Sequence, residues 1–213
     1  MRKLILSLFF AAGFAAIATA QHVRLNTYGG YVFNDQVNAY NSNTSYFNGT
    51  VEGGFQWGGG LEYMVNRAFG IEFNYLRQDA NAPFTYYNDG VKSQDFAMNI
   101  NYYLFDFNHY FELSNHKVEP FLGAGLGWAG LSASSEGKSG NRSAFAWNAK
   151  GGTNIWLGSK GKVALKLQAQ LVSGSAATGG GYFWTYWGPV YANTYTSLYQ
   201  FGLGGGLTFK LGK

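Results

Sequence analysis

Val51-Glu52-Gly53-Gly54-Phe55-Gln56-Trp57-Gly58-Gly59-Gly60-Leu61-Glu62-Tyr63-Met64 is the stretch that decides the fold. Taken every second residue, one face carries Val51, Gly53, Phe55, Trp57, Gly59, Leu61 and Tyr63. The other carries Glu52, Gly54, Gln56, Gly58, Gly60, Glu62 and Met64. Successive side chains of a strand point to opposite faces, so this period of two describes a strand set between an apolar and a polar medium. A short turn, Val65-Asn66-Arg67-Ala68, follows. Phe69, Ile71, Phe73 and Tyr75 then alternate with Gly70, Glu72, Asn74 and Leu76.

The alternation extends in both directions. Before it, Val23, Leu25, Tyr31 and Phe33 alternate with Arg24, Asn26, Tyr28 and Asn34. After it, Phe96, Met98, Ile100, Tyr102 and Leu104 stand against Asp95, Ala97, Asn99, Asn101 and Tyr103, and are expected on the apolar face. Val118, Pro120, Leu122, Ala124, Leu126 and Trp128 alternate with Glu119, Phe121, Gly123, Gly125 and Gly127. Phe145, Trp147, Ala149, Ile155 and Leu157 alternate with Ala146, Asn148, Lys150, Gly152 and Asn154. Val163, Leu165, Leu167, Ala169 and Leu171 alternate with Ala164, Lys166, Gln168 and Gln170. Tyr199, Phe201, Leu203, Leu207, Phe209 and Leu211 alternate with Gln200, Gly202, Gly204, Gly206, Thr208 and Lys210.

Eight strands of about ten residues result, the length that crosses a bilayer when tilted. Long polar connections are expected at 35–50, 78–93, 131–142 and 173–196, with shorter ones between, the longest at 106–117. A second hairpin hidden in the fourth long loop would raise the count to ten. Only helices and closed barrels satisfy every backbone polar group in hydrocarbon, and no later apolar run is long enough for a helical span. The fold class is therefore all-β: an eight-stranded antiparallel up-and-down transmembrane β-barrel. A water-soluble sandwich or barrel would turn the apolar face inward. Against it stand the aromatics near strand ends and a polar face rich in glycine but poor in charge.

Composition agrees. Of 213 residues, 19% are aromatic, 31 are glycine and only 12% are charged, the last about half the share of an ordinary soluble domain. Cysteine is absent, which excludes disulfides, thiolate metal sites and cysteine nucleophiles. Arg2 and Lys3, the apolar run Leu4–Ile17 and the small-x-small Ala18-Thr19-Ala20 read as a secretory signal peptide, residues 1–20, cleaved before Gln21. Residues 21–213 form the barrel domain. Without Arg2 and Lys3, 13 basic residues face 11 acidic ones, and no basic run exists to track a phosphate backbone, so nucleic acid is not an expected partner.

Val118-Glu119-Pro120-Phe121-Leu122-Gly123-Ala124-Gly125-Leu126-Gly127-Trp128 resembles a characteristic strand of the outer-membrane β-barrel domain family, which is similar in architecture to OmpA- and OmpX-type eight-stranded barrels. Gly58–Tyr63 and Phe201–Phe209 fit the same family, and the resemblance spans the mature chain. It implies export to the bacterial outer membrane of a Gram-negative cell, and contact with outer-membrane lipid, lipopolysaccharide and the barrel assembly machinery. Such barrels commonly end on an aromatic residue. Here Phe209 is followed by Lys210-Leu211-Gly212-Lys213.

The lumen-facing charges are expected to be Arg24, Glu52, Glu62, Glu72, Asp95, Glu119, Lys150 and Lys166, with Lys210 at the end of the last strand. Eight strands leave an interior just filled by side chains, so these charges are read as a paired plug rather than a gate. Gly125-Leu126-Gly127-Trp128-Ala129-Gly130 matches a dinucleotide motif in letters only, since no helix follows it. The glycines read instead as places where the lumen is kept clear. His22, His109 and His116 lack any catalytic or metal-binding spacing. No cofactor is expected, and the chain is not read as an enzyme. Some barrels of similar shape modify lipid A with Ser and His near the outer leaflet, and no such pair occurs here. Tyr182, Phe183, Trp184, Tyr186, Trp187 and Tyr191 form a candidate loop surface for an extracellular glycan or protein. The resulting expectation is a monomeric outer-membrane barrel with a structural or adhesion-like role. The alternatives are a small passive pore or transporter and, third, a lipid-modifying enzyme.

Overall fold

Alternating sequences that cannot hide a sheet edge in lipid must close on themselves. In the computed structural model they do. It describes residues 23–42, 45–87, 91–114, 117–135, 138–158, 161–175, 181–185, 188–192 and 197–211. The expected leader lies outside them. The strands are β1 (Val23–Val32), β2 (Asp35–Ser42), β3 (Ser45–Val51), β4 (Gly54–Met64), β5 (Phe69–Tyr87), β6 (Val91–Tyr110), β7 (Val118–Ser135), β8 (Lys138–Leu157), β9 (Val163–Ser175), β10 (Gly181–Thr185), β11 (Gly188–Ala192) and β12 (Ser197–Leu211).

Eight of them form the wall: β1, β4, β5, β6, β7, β8, β9 and β12, each antiparallel to its neighbours. The first and last strands zip together from Val23↔Leu211 to Val32↔Gly202, which closes the ring. Hairpin β2–β3 continues β1 and β4 outward and leans on β5 at Phe47↔Tyr86. The fourth long loop does contain a hairpin, β10–β11, but as a separate two-stranded sheet, so the barrel keeps eight strands.

The outer wall is apolar. Phe55, Trp57, Leu61, Tyr63, Phe105, Phe107, Leu122, Leu126, Leu167 and Leu203 are all exposed. Rings mark its upper border: Trp57, Tyr75, Tyr103 and Trp128 touch in sequence, with centroids 6.2, 5.3 and 5.5 Å apart. Above this row the polarity of the wall reverses. Arg77 and Asp79 point outward, their side chains paired at 3.0 Å, and Tyr75 donates to Asn101 at 2.8 Å. Inside, Leu76, Ala80, Ile100, Tyr102, Leu104, Ala129, Ala146 and Val172 form an apolar layer. That is the arrangement of a barrel standing in water, and the ring row is where lipid gives way to it.

This reversal corrects one expectation. Ile100, Tyr102 and Leu104 face inward and are 0% exposed, while Tyr103, Phe105 and Phe107 face out. The pairing of β6 with β5 and β7 runs without a register shift. A single parity therefore holds from Ala97 to Tyr110, and Phe105 and Phe107 in the lipid belt fix it.

A second correction concerns Glu52. It is exposed, in a two-residue break between β3 and β4, and its N–H donates to the Asn81 carbonyl at 2.9 Å. The break shifts the alternation by one, so Val51 turns inward to 3% exposure. A third correction concerns loop lengths. β5 and β6 run to Tyr87 and from Val91, and β7 and β8 meet across 136–137. Stretches rich in Asn, Ser and Asp that read as loops at 78–93 and 131–142 are largely strand. The connection expected at 106–117 likewise shortens, because β6 continues to Tyr110.

Candidate functional site

The lumen is the one place where the described charges converge. It is organised in layers along the axis. At the end where β1 begins and β12 ends, Arg24 donates two hydrogen bonds to Glu119, at 2.9 and 3.0 Å, and Asn154 donates to the same carboxylate at 3.0 Å. The guanidinium stacks 4.6 Å from the Tyr110 ring centre and 5.3 Å from that of Trp156. A planar fork that satisfies a carboxylate and packs on aromatic faces is a use to which arginine is better suited than lysine.

The middle layer is fully buried. Lys150 donates to Glu72 at 2.7 Å and to Asp106 at 2.5 Å. Glu72 also accepts from Asn26 at 2.8 Å, from Asn108 at 3.1 Å and from the Tyr28 hydroxyl. Glu62, directly opposite Glu72 on the neighbouring strand, accepts from Tyr110 at 2.7 Å and Asn108 at 2.8 Å. Asn74 donates to Asp106 at 2.9 Å. Lys166 makes no hydrogen bond among the described residues; its ammonium lies 4.5 Å from the Phe121 ring centre and 5.6 Å from that of Tyr28. Like charges side by side are costly in a dry interior. Shared amide donors and the bridging lysine offset that cost for the two glutamates and Asp106.

Glycine makes room for this layer. A Cβ on Gly60 would sit 2.0 Å from Glu72 Oε1, and one on Gly125 would sit 1.9 Å from Asp106 Oδ1 and 2.6 Å from Asn148 Oδ1. Asp106 is held by both Lys150 and Asn74, so it has little freedom to yield. Gly125→Ala is expected to lower stability by about 1–3 kcal/mol, the usual cost of overpacking. Gly130→Ala, whose Cβ would meet nothing closer than the Asn101 carbonyl at 3.9 Å, is expected to be near neutral. Urea unfolding in detergent micelles compares the two.

Above this layer come the glutamines. Gln56, Gln168 and Gln170 line, with Tyr28 and Leu76, a cavity of about 10 Å³ behind Gly29, Gly30 and Gly204, room for about one water. The apolar layer of Ile100, Tyr102 and Leu104 lies beyond it, with Tyr102 donating to Gln200 at 3.1 Å.

Six of the charges read from the sequence thus meet in the lumen: Arg24, Glu62, Glu72, Glu119, Lys150 and Lys166. Glu52 does not, for the reason given above. The side chain of Asp95 lies outside the described residues. Lys210 is exposed at the mouth, its ammonium 3.6 Å from the Trp156 ring centre. Asp106, Asn26, Asn108, Tyr28 and Tyr110 were not singled out by the sequence. The outward Phe105 and Phe107 would have identified Asp106 as inward had the strand been extended past it. Tyr182, Phe183, Trp184 and Tyr191 lie on hairpin β10–β11, with Tyr182 opposite Tyr191. Their side chains, and residues Tyr186 and Trp187 altogether, lie outside the described residues.

No known sequence family and no curated protein matches the chain. Solved structures do. Neisserial surface protein A is similar at a TM-score of 0.54 and 16% identity, over 88% of this chain and 96% of that one. The outer membrane protein OprG from Pseudomonas aeruginosa is similar at 0.55 and 12%, over 90% and 97%. The outer membrane protease OmpT from Escherichia coli is similar at 0.55 and 7%, again over 90% and 97%. At these identities the likeness is one of fold: the chain has the barrel architecture of bacterial outer-membrane proteins.

Proposed function

We propose that the protein is an integral outer-membrane barrel whose role is structural or surface-interacting. The barrel is the anchor, and the strands and hairpins above the ring row carry the contacts. What supports this most is the filled lumen. The Lys150–Glu72–Asp106 layer and the Ile100–Tyr102–Leu104 layer both stand across the axis, with side chains at or near 0% exposure. A small pore needs a continuous path there. Meanwhile β5 and β6 are 19 and 20 residues long, about twice what a tilted span requires. The extra length projects from the membrane beside β2–β3 and the aromatic-rich β10–β11.

Deleting Tyr182 to Tyr191 is expected to abolish binding to cells or to a glycan array. The purified barrel should still migrate faster unboiled than boiled on a denaturing gel. Binding that survives the deletion would count against the contact surface. Discrete conductance of the wild type in planar bilayers would replace this reading with the pore, and altered lipid A on overexpression would replace it with the enzyme.

A further inference from the structure

The rim where β1 begins and β12 ends has a charge pattern the role above does not use. Three short connections close the barrel there, at 65–68, 111–117 and 158–162. Each holds an exposed basic residue: Arg67, Lys117 and Lys162. Lys210, at the foot of β12, is not one of them: it lies on the same face as buried Thr208, and its ammonium is held 3.6 Å from the ring centre of the inward Trp156. Among the described residues of this rim, Glu112 is the exposed acid, since Glu119 is engaged by Arg24.

We propose that this rim is a basic collar that binds the anionic headgroups of phospholipids in the periplasmic leaflet. The inference rests on the outer-membrane reading and assigns a lipid class to one leaflet of it. Two observations carry it. First, the cations border the apolar belt and do not stand off in water. Arg67 lies between exposed Val65 and Phe69, Lys117 follows exposed Leu113, and Lys162 follows exposed Leu157. Such apolar neighbours sit in a bilayer interface and place the charges level with lipid phosphates, where long basic side chains reach for them. Second, the charges are spread around the ring, at β4–β5, β6–β7 and β8–β9. A protein partner would touch one side; an annulus of lipid touches all of it. Short turns are periplasmic in barrels of this kind, which sets the leaflet.

The test uses the mature barrel in nanodiscs of phosphatidylcholine mixed with phosphatidylglycerol. Spin-labelled versions of the two lipids report the share of each held against the protein. The wild type is expected to prefer phosphatidylglycerol, and salt should weaken the preference by screening. Neutralising one cation should reduce it by up to about fivefold, corresponding to ~1 kcal/mol per basic residue near a charged surface. Arg67→Gln/Lys117→Gln/Lys162→Gln should abolish it, and Glu112→Gln should strengthen it. Equal retention of both lipids by the wild type, or an unchanged preference in the triple variant, would overturn the collar. So would a triple variant that keeps its lipid preference but no longer sediments with peptidoglycan, which would assign the charges to the cell-wall polymer. A chain that fails to insert at all fails the outer-membrane reading; one that inserts without preference fails only the collar.

Discussion

Lys150→Met is expected to destabilise the barrel by about 3–5 kcal/mol, the cost of breaking a buried ion pair by removing one partner. The ammonium is the only cation within hydrogen-bonding distance of Glu72 and Asp106 among the described residues, and all three side chains are closed to solvent. Methionine fills a similar volume but leaves two carboxylates side by side on neighbouring strands, Glu72 opposite Asp106, in a narrow interior. Neutral donors from Asn26, Asn108 and Asn74 remain, but they do not replace a full positive charge. The measurement is the urea dependence of unfolding in liposomes, followed by Trp fluorescence. The triple variant Lys150→Met/Glu72→Gln/Asp106→Asn separates charge from packing. It removes the uncompensated charges and should recover most of the loss. A triple variant as unstable as the single one would show that Lys150 matters for its shape alone.

The second large effect concerns the other side of the wall. Leu167 is 47% exposed and lies midway between Val163 and Leu171 on the outward face of β9. Its neighbour Lys166 points the opposite way and is 0% exposed. Leu167→Arg should cost about 2–4 kcal/mol, as a charge at the bilayer midplane does, whereas Val65→Arg in the periplasmic turn should cost about 0–1 kcal/mol. Water outside the barrel would make the two substitutions equally mild, so a flat response with depth would refute the lipid-facing wall. Unfolding midpoints of the two variants in the same liposomes decide it. Together the two experiments probe both surfaces of one β-sheet: charge belongs on one and is excluded from the other.

The strands within the lipid belt were legible in the sequence because two media impose opposite demands on alternate residues. Phe55, Trp57, Leu61 and Tyr63 against Gln56 and Glu62 is enough to set which face is which. Closure followed too, since an open edge is not tolerated in hydrocarbon. Above the ring row both of those constraints lapse. Water surrounds the wall there, so Arg77, Asn99 and Asn101 face out while Leu76, Ile100 and Tyr102 pack within. A reading that took the apolar face as outward over Phe96–Leu104 therefore assigned Ile100, Tyr102 and Leu104 to the wrong face. Alternation also carries no information about a break in the chain, which is why Glu52 was misplaced by one residue. Nor does it say which strands stand opposite each other across the lumen. That Lys150 meets Glu72 and Asp106, 78 and 44 residues away, was decided by register and closure, because those set the depth and direction of every inward side chain.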